Sequence, residues 1–181
     1  GVATVTRALP VANVIAGEPA ATAVQVEPCR TGRAWAWGGE AVFQILAGGG
    51  SAGNDSSCVL KISAAGWQFL LPGDLGAARE RELVRFWRSA QDSDWLLAAH
   101  HGSNTSSSAA WLRQVAPREV VLSHGYANPF GHPHSAVMAR LAASDARVES
   151  TAVSGAIEYR VLQDGRLVRI RHRDSPRYWW M

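Results

Sequence analysis

Apolar and polar positions along the chain change rhythm after Leu71. Before that point the apolar runs are short and strand-like; beyond it, helical spacing alternates with brief apolar runs. Val2 to Leu9 reads as a short helix stopped by Pro10, and Val11 to Ala16 as a buried strand. After a loop at Gly17 to Ala20, Thr22 to Val26 alternates as a strand. Ala34 to Trp37 and Ala41 to Leu46 form a hairpin turned at Gly38-Gly39. Gly48 to Ser57 is a loop of Gly, Ser, Asn and Asp, and Cys58 to Ser63 pairs with Trp67 to Leu71 across Ala64 to Gly66.

The second half reads differently. Ala77 to Ser89 is a helix with Leu83, Phe86 and Trp87 along one side. Trp95 to Ala99 is a short apolar strand, and Ser108 to Val115 is a helix that opens after a serine-rich cap and stops before Pro117. Val120 to Ser123 is a strand and Ser135 to Ala143 a helix. Arg147 to Thr151, Ala156 to Leu162 and Leu167 to Arg171 close the chain as strands, with Asp164-Gly165 as a turn. Strands first, then alternating helices and strands, predict a layered α/β protein with mixed sheets. Without a repeat, linker or low-complexity stretch, residues 1–181 read as one domain.

Composition narrows the class. The 181 residues are 47% hydrophobic and 18% charged, as in a folded globular protein. No stretch approaches the roughly twenty apolar residues of a membrane span. Gly1 to Ala16 lacks a basic segment and a cleavage site, so it is not a signal peptide, and any export is directed by other sequence. Net charge is +3, carried almost wholly by arginine; Lys61 is the only lysine. The guanidinium fork suits phosphate, but a GC-rich genome produces the same bias, so the charge permits a nucleic-acid partner without demonstrating one. Cys29 and Cys58 do not form a CxxC pair, which argues against a zinc knuckle; they are either one disulfide or two buried thiols.

Histidine placement is the sharpest chemical signal. His100, His101, His124, His132 and His134 are five of the six histidines and fall within 35 positions. His100 and His101 follow one predicted strand and His124 another, and strand ends are where open α/β sheets place their ligands. A lone loop histidine is best read as held by a backbone bond; a cluster of five favours metal binding or acid–base chemistry. Asp74, in LLPGDL, follows a strand and is either a metal-ligating carboxylate or the N-cap of the next helix. The loop Asn54 to Cys58 is, alone, an ordinary Asx turn.

Taken in order, NDSSCVL, LLPGDL with Glu80 soon after, HHGSNTSSS, NPFGHPH and TAVSGAIEY resemble the metallo-β-lactamase-like domain of the ComEC family of DNA-uptake proteins. The likeness extends to WAW near Cys29 and to the terminal RYW at Arg177 to Trp179. It implies an αβ/βα sandwich with two divalent metals, zinc or manganese. Asp74 matches a bridging aspartate and His100 a histidine ligand, with His101 beside the substrate phosphate; which of the two histidines binds metal stays open. Asn54 and Ser57 match a polar loop near the site, His132 a position on its rim, and Ser103 falls within the phosphate-holding HHGS. The family's first metal motif, a His-x-Asp-x-Asp-His run, has no counterpart here. The expectation is therefore the C-terminal part of one such domain, lacking its N-terminal strands and most ligands, and inactive alone.

The resemblance further implies metal-assisted hydrolysis of DNA phosphodiesters during natural transformation, at a membrane channel built by other parts of the full-length protein. Two alternatives remain: a hydrolase of small phosphodiesters on the same fold, and a non-catalytic module that guides DNA. An extracytoplasmic, periplasmic setting on a bacterial inner-membrane protein is implied too, and it tips Cys29 and Cys58 toward a disulfide.

Overall fold

The computed structural model describes residues 2–18, 25–49, 53–86 and 92–173. Helix α1 (Val2–Ala8) leads into two strands, β1 (Val14–Ala16) and β2 (Val26–Pro28), which pair in parallel as a sheet of their own. The strand expected at Val11 to Ala16 shrinks to its last three residues. Its partner offers only three positions, and Pro28, with no N–H, ends the ladder. Of the strand expected at Thr22 to Val26, residues 22–24 lie outside the described residues, and the observed strand begins at Val26.

Seven strands build the main sheet in chain order: β3 (Ala34–Trp37), β4 (Ala41–Ala47), β5 (Val59–Ala64), β6 (Trp67–Leu71), β7 (Trp95–Leu97), β8 (Glu119–Leu122) and β9 (Arg147–Ser150). β3 to β6 form an antiparallel meander, reversed tightly at Gly38-Gly39 and Ala65-Gly66 and by the longer segment 48–58 between β4 and β5. β6 to β9 are parallel, and their crossovers carry α2 (Ala77–Phe86), α3 (Ala109–Val115) and α4 (Ser135–Ala142). Three crossovers stepping the same way with one handedness place all three helices on one face. The core agrees: Leu70, Leu96, Val120 and Leu122 pack with Leu83, Trp111, Leu112, Val115, Val137 and Leu141. The terminal RYW lies outside the described residues, as do residues 87–89 of the expected helix Ala77 to Ser89.

Strand alternation turns Phe69, Trp95, Glu119 and Glu149 to the opposite face. There the hairpin of β10 (Ile157–Val161) and β11 (Leu167–Arg171) is fastened. Tyr159 meets Trp95 edge-on at 5.4 Å, and its hydroxyl donates to Glu119 at 3.2 Å. Arg169 lies 3.0 Å from both Glu119 and Glu149, and Arg171 donates to Glu149. Glu149 is buried, and the hydrogen bond from Arg171, helped by both guanidinium charges, holds its carboxyl below the usual range against the effect of burial. The closing strand expected to reach Thr151 stops at Ser150, and Thr151–Ser154 forms the single-turn helix α5.

Cys29 and Cys58 are joined in a disulfide, their Cα atoms 5.8 Å apart. The bond ties the end of the small sheet to the start of β5. Gly48 lies against it, where an added Cβ would come within 2.5 Å of the Cys29 Cβ.

Candidate functional site

The parallel strands end along one edge of the sheet, and the chemistry-bearing residues follow those ends. Leu71 leads to Asp74, Leu97 to His100 and His101, Leu122 to His124, and Ser150 to Thr151. β5 runs antiparallel to β6, so the turn Gly53–Ser56 that precedes it lies at the same edge.

The histidine pair sits in an unusual backbone. His100 (φ 49°, ψ 40°) and His101 (φ 55°, ψ 21°) are both left-handed, and Gly102 follows at φ 84°. For non-glycine residues this conformation costs on the order of 1–3 kcal/mol each and persists only where the surroundings impose it. Here they do. The His100 amide donates to Gly73 at 3.0 Å, the Ser103 amide to His100 at 2.9 Å, and the His134 amide to Gly102 at 2.9 Å. The buried Ser106 hydroxyl is bonded to both Ala99 and Ser103 carbonyls, at 2.8 and 3.0 Å. A Cβ at Gly102 would meet Pro133 at 2.8 Å, so that position has no room for a side chain.

This turn points the two imidazoles differently. His101 Nδ1 lies 2.7 Å from the Ser123 carbonyl, and its Nε2 lies 3.5 Å from Asp74 Oδ1. A carbonyl only accepts, so Nδ1 carries the proton and the lone pair of a neutral ring faces the carboxylate. Two acceptors facing each other call for a cation between them, a proton or a metal. His100 is engaged otherwise: the Asn54 amide lies 3.2 Å from its Nε2, and Thr105 Oγ1 lies 3.5 Å from its Nδ1. Asp74 thus faces His101 rather than His100, and it is not the cap of α2, which begins three residues later.

The remaining expected residues gather around this pair. Ser57 donates to the Asn54 carbonyl at 2.7 Å and accepts the Asp74 amide at 3.1 Å, bracing one loop against the other. Ser103 is buried, with its hydroxyl 3.0 Å from that of Thr105. The His132 ring stands edge-on to His100 with centroids 5.9 Å apart. Burial first, and then four neighbouring imidazoles, hold His132 below the usual histidine value. His101 and His132 line a recess of about 340 Å³ together with His124. Asp74 and His100 adjoin these residues without lining it. His134 has a structural task, capping α4 by accepting the Ala136 amide at 3.2 Å.

One residue of consequence was visible in the sequence only as a letter near the motif. Glu80 is fully buried, and its carboxylate accepts the Ser107 amide at 2.5 Å and the Ser108 amide at 2.9 Å. Burial pushes its carboxyl upward, while the bonds from Ser108 and Ser107 and the nearby Arg140 pull it back. Arg140 grips the same segment from the other side, donating to the Ser107 and Ser106 carbonyls at 2.9 and 3.0 Å. Glu80 and Arg140 together clamp the loop that carries the histidine turn. A serine run ahead of a helix was the available signal that some group must receive its amides.

Asp74 and His101 have the right chemistry for a divalent metal, and a ligating histidine commonly donates its other N–H to a carbonyl as His101 does. Their number is insufficient. Among the described residues no group of three His, Cys, Asp or Glu side chains is placed to hold a metal ion, and zinc takes at least three protein ligands. The described residues therefore do not form a complete metal site, and no chemical step is assigned to a metal. Much of the arginine excess is also spoken for: Arg33, Arg79, Arg118, Arg147, Arg160, Arg166, Arg169 and Arg171 all pair with carboxylates. Among the described residues no helix is long and apolar enough to cross a membrane.

No family model matches the chain. Individual relatives do. Over 154 residues it is 38% identical to Recombination protein 2 of Haemophilus influenzae, covering 83% of this chain and 19% of that protein. Over 127 residues it is 37% identical to Competence protein ComA of Neisseria gonorrhoeae, covering 70% and 18%. Over 107 residues it is 34% identical to ComE operon protein 3 of Bacillus subtilis, covering 59% and 14%. The chain spans 14–19% of the length of these relatives. Across the segment it shares with them, the chain belongs to the ComEC family of competence proteins.

Proposed function

We propose that this chain is the C-terminal part of a metallo-β-lactamase-type domain that cleaves DNA phosphodiesters during natural transformation. Asp74 with His101, or with His100, contributes donors to a site for two divalent metals, zinc or manganese, completed by ligands other than those described. Asn54, Ser57, Ser103 and His132 border the substrate. The partner is DNA, delivered to or from a membrane channel formed by the rest of the full-length protein. The setting is the periplasmic side of a bacterial inner membrane, in keeping with a paired Cys29 and Cys58.

The carrying observation is the carboxylate of Asp74 facing Nε2 of His101, the ring nitrogen not bonded to Ser123, at the C-terminal edge of the parallel strands. Such a pair holds a cation where open α/β sheets take ligands. The names of the relatives support the DNA-uptake context. A second reading, a non-catalytic module that guides DNA, is favoured by the absence of a three-ligand group among the described residues.

Full-length protein carrying Asp74→Asn, supplied with strand-labelled DNA in competent cells, tests both. The enzymatic reading expects DNA to be bound while release of labelled nucleotides from the degraded strand is lost. Undiminished degradation would sink it in favour of the guiding module.

A further inference from the structure

We propose that the recess beside His101 is a nucleobase site, which takes one unpaired base of a single strand and is closed on its outer side by Phe130. This rests on the DNA reading above and specifies the form of the substrate. Three rings form a stair from solvent inward to His100, the neighbour of His101. Phe130 stacks on His132 at 5.8 Å and 28°, and His132 meets His100 edge-on at 5.9 Å. His101, which faces Asp74, shares the recess of about 340 Å³ with Phe130, His132 and His124.

A single exposed phenylalanine is unremarkable in itself. Phe130, 77% exposed, differs because its loop is held rigid from within. Asn128 alone makes four hydrogen bonds there. Its Nδ2 donates to the carbonyls of Gly125 at 3.1 Å and His132 at 2.6 Å, and its Oδ1 accepts the amides of Phe130 at 3.2 Å and His132 at 3.1 Å. The backbone that carries this apolar ring is thus fixed, and the ring rests against His132 in water at the mouth of a polar site. That is the arrangement of a stacking platform, on which an unpaired base lays its face. A duplex has its base faces already stacked and offers a surface ring only edges.

The polar groups around the recess indicate how selective it is. His124 is engaged at both nitrogens, with Ser150 Oγ at 2.9 Å and the Gly125 carbonyl at 3.1 Å. Thr151 Oγ1 is bonded to the amide and the carbonyl of His124, both at 2.9 Å. With these side chains and Asn128 already engaged, recognition rests mainly on ring faces and discriminates little among the four bases.

The test is anisotropy of the full-length protein, in metal-free buffer, with a short fluorescent single-stranded oligonucleotide and with an abasic phosphodiester oligomer of equal length. Bases are expected to tighten binding roughly five- to a hundredfold, the range for one stacked base. Phe130→Ala removes that difference and leaves abasic binding unchanged, whereas Phe130→Trp retains it. Equal binding of the two oligomers, or a Phe130→Ala protein that keeps the difference or weakens both alike, overturns the nucleobase site while DNA binding stands. If neither oligomer binds, the DNA reading falls, and the nucleobase site with it.

Discussion

His101 commits its Nδ1 proton to the Ser123 carbonyl, 2.7 Å away, and in doing so turns Nε2 toward Asp74 Oδ1 at 3.5 Å. The segments that follow two strands, Ser123 after β8 and Asp74 after β6, thereby engage both nitrogens of one imidazole. If a divalent cation occupies the gap, Asp74→Asn and His101→Ala each weaken its binding to the full-length protein at least about tenfold. Both side chains are about half exposed, so the folding stability of either variant should change by no more than about 0.5 kcal/mol. Calorimetric titration with manganese or zinc, beside urea unfolding, reads both quantities; unchanged metal affinity would remove the pair from any metal site.

Glu80→Gln replaces one acceptor oxygen with an amide group that opposes the donating backbone of Ser107 and Ser108. Stability should fall by about 1–3 kcal/mol, the cost of leaving a buried donor unmatched. The His100 and His101 ring resonances should move with it, because the same loop carries their turn. Resonances that stay in place would show the clamp to be local to α3.

Gly102→Ala should lose roughly 1–3 kcal/mol, since it adds a Cβ 2.8 Å from Pro133 at a left-handed position. Chemical denaturation measures it. A neutral effect would mean that the Pro133 loop moves away easily.

The Glu149 pairing with Arg171 and Arg169 makes stability depend on acid. A carboxyl held below its unfolded value binds its proton less readily when folded. Its contribution is complete above the unfolded carboxylate value of about 4 and disappears as pH falls through the lower folded value. Glu149→Gln should therefore be less stable than the natural protein at pH 7, and the two should converge at the most acidic pH that still supports folding. Unfolding midpoints of the pair, compared across pH, check this; a constant gap would assign the effect to packing.

Removing the disulfide as Cys29→Ser with Cys58→Ser opens a 29-residue separation and should cost about 3–4 kcal/mol in the chain-entropy estimate. Reductant should lower the stability of the natural protein similarly and leave the double variant unaffected.

Local patterning carried most of the elements. The antiparallel hairpins, α3 with its serine cap and α4 were legible because alternation, turn glycines and helix caps are short-range signals. Boundaries slipped where a partner strand limited the ladder, as at Val11 to Asn13, or where a helical turn replaced a strand end, as at Thr151. At the site, Asp74, His100 and His101 stood out as residue types following strands, and Asn54 and His132 through the family resemblance. Glu80 did not, because burial of a carboxylate depends on contacts with residues 27 and 28 positions away.

Short-range patterning establishes that strands precede a run of alternating strands and helices, and that histidines and an aspartate follow strand ends. The sequence also carries a ComEC-like succession of motifs. Long-range contacts are what turn His101 rather than His100 to Asp74, bring Asn54 to His100, and place Phe130 at the recess that His101 lines. The reason is physical. Two adjacent residues in a left-handed turn point their side chains in different directions, and which one meets the carboxylate is set by the bonds that Gly73 and Ser123 accept from them and by the hold of Ser106 on Ala99, brought together by the parallel packing of β6, β7 and β8.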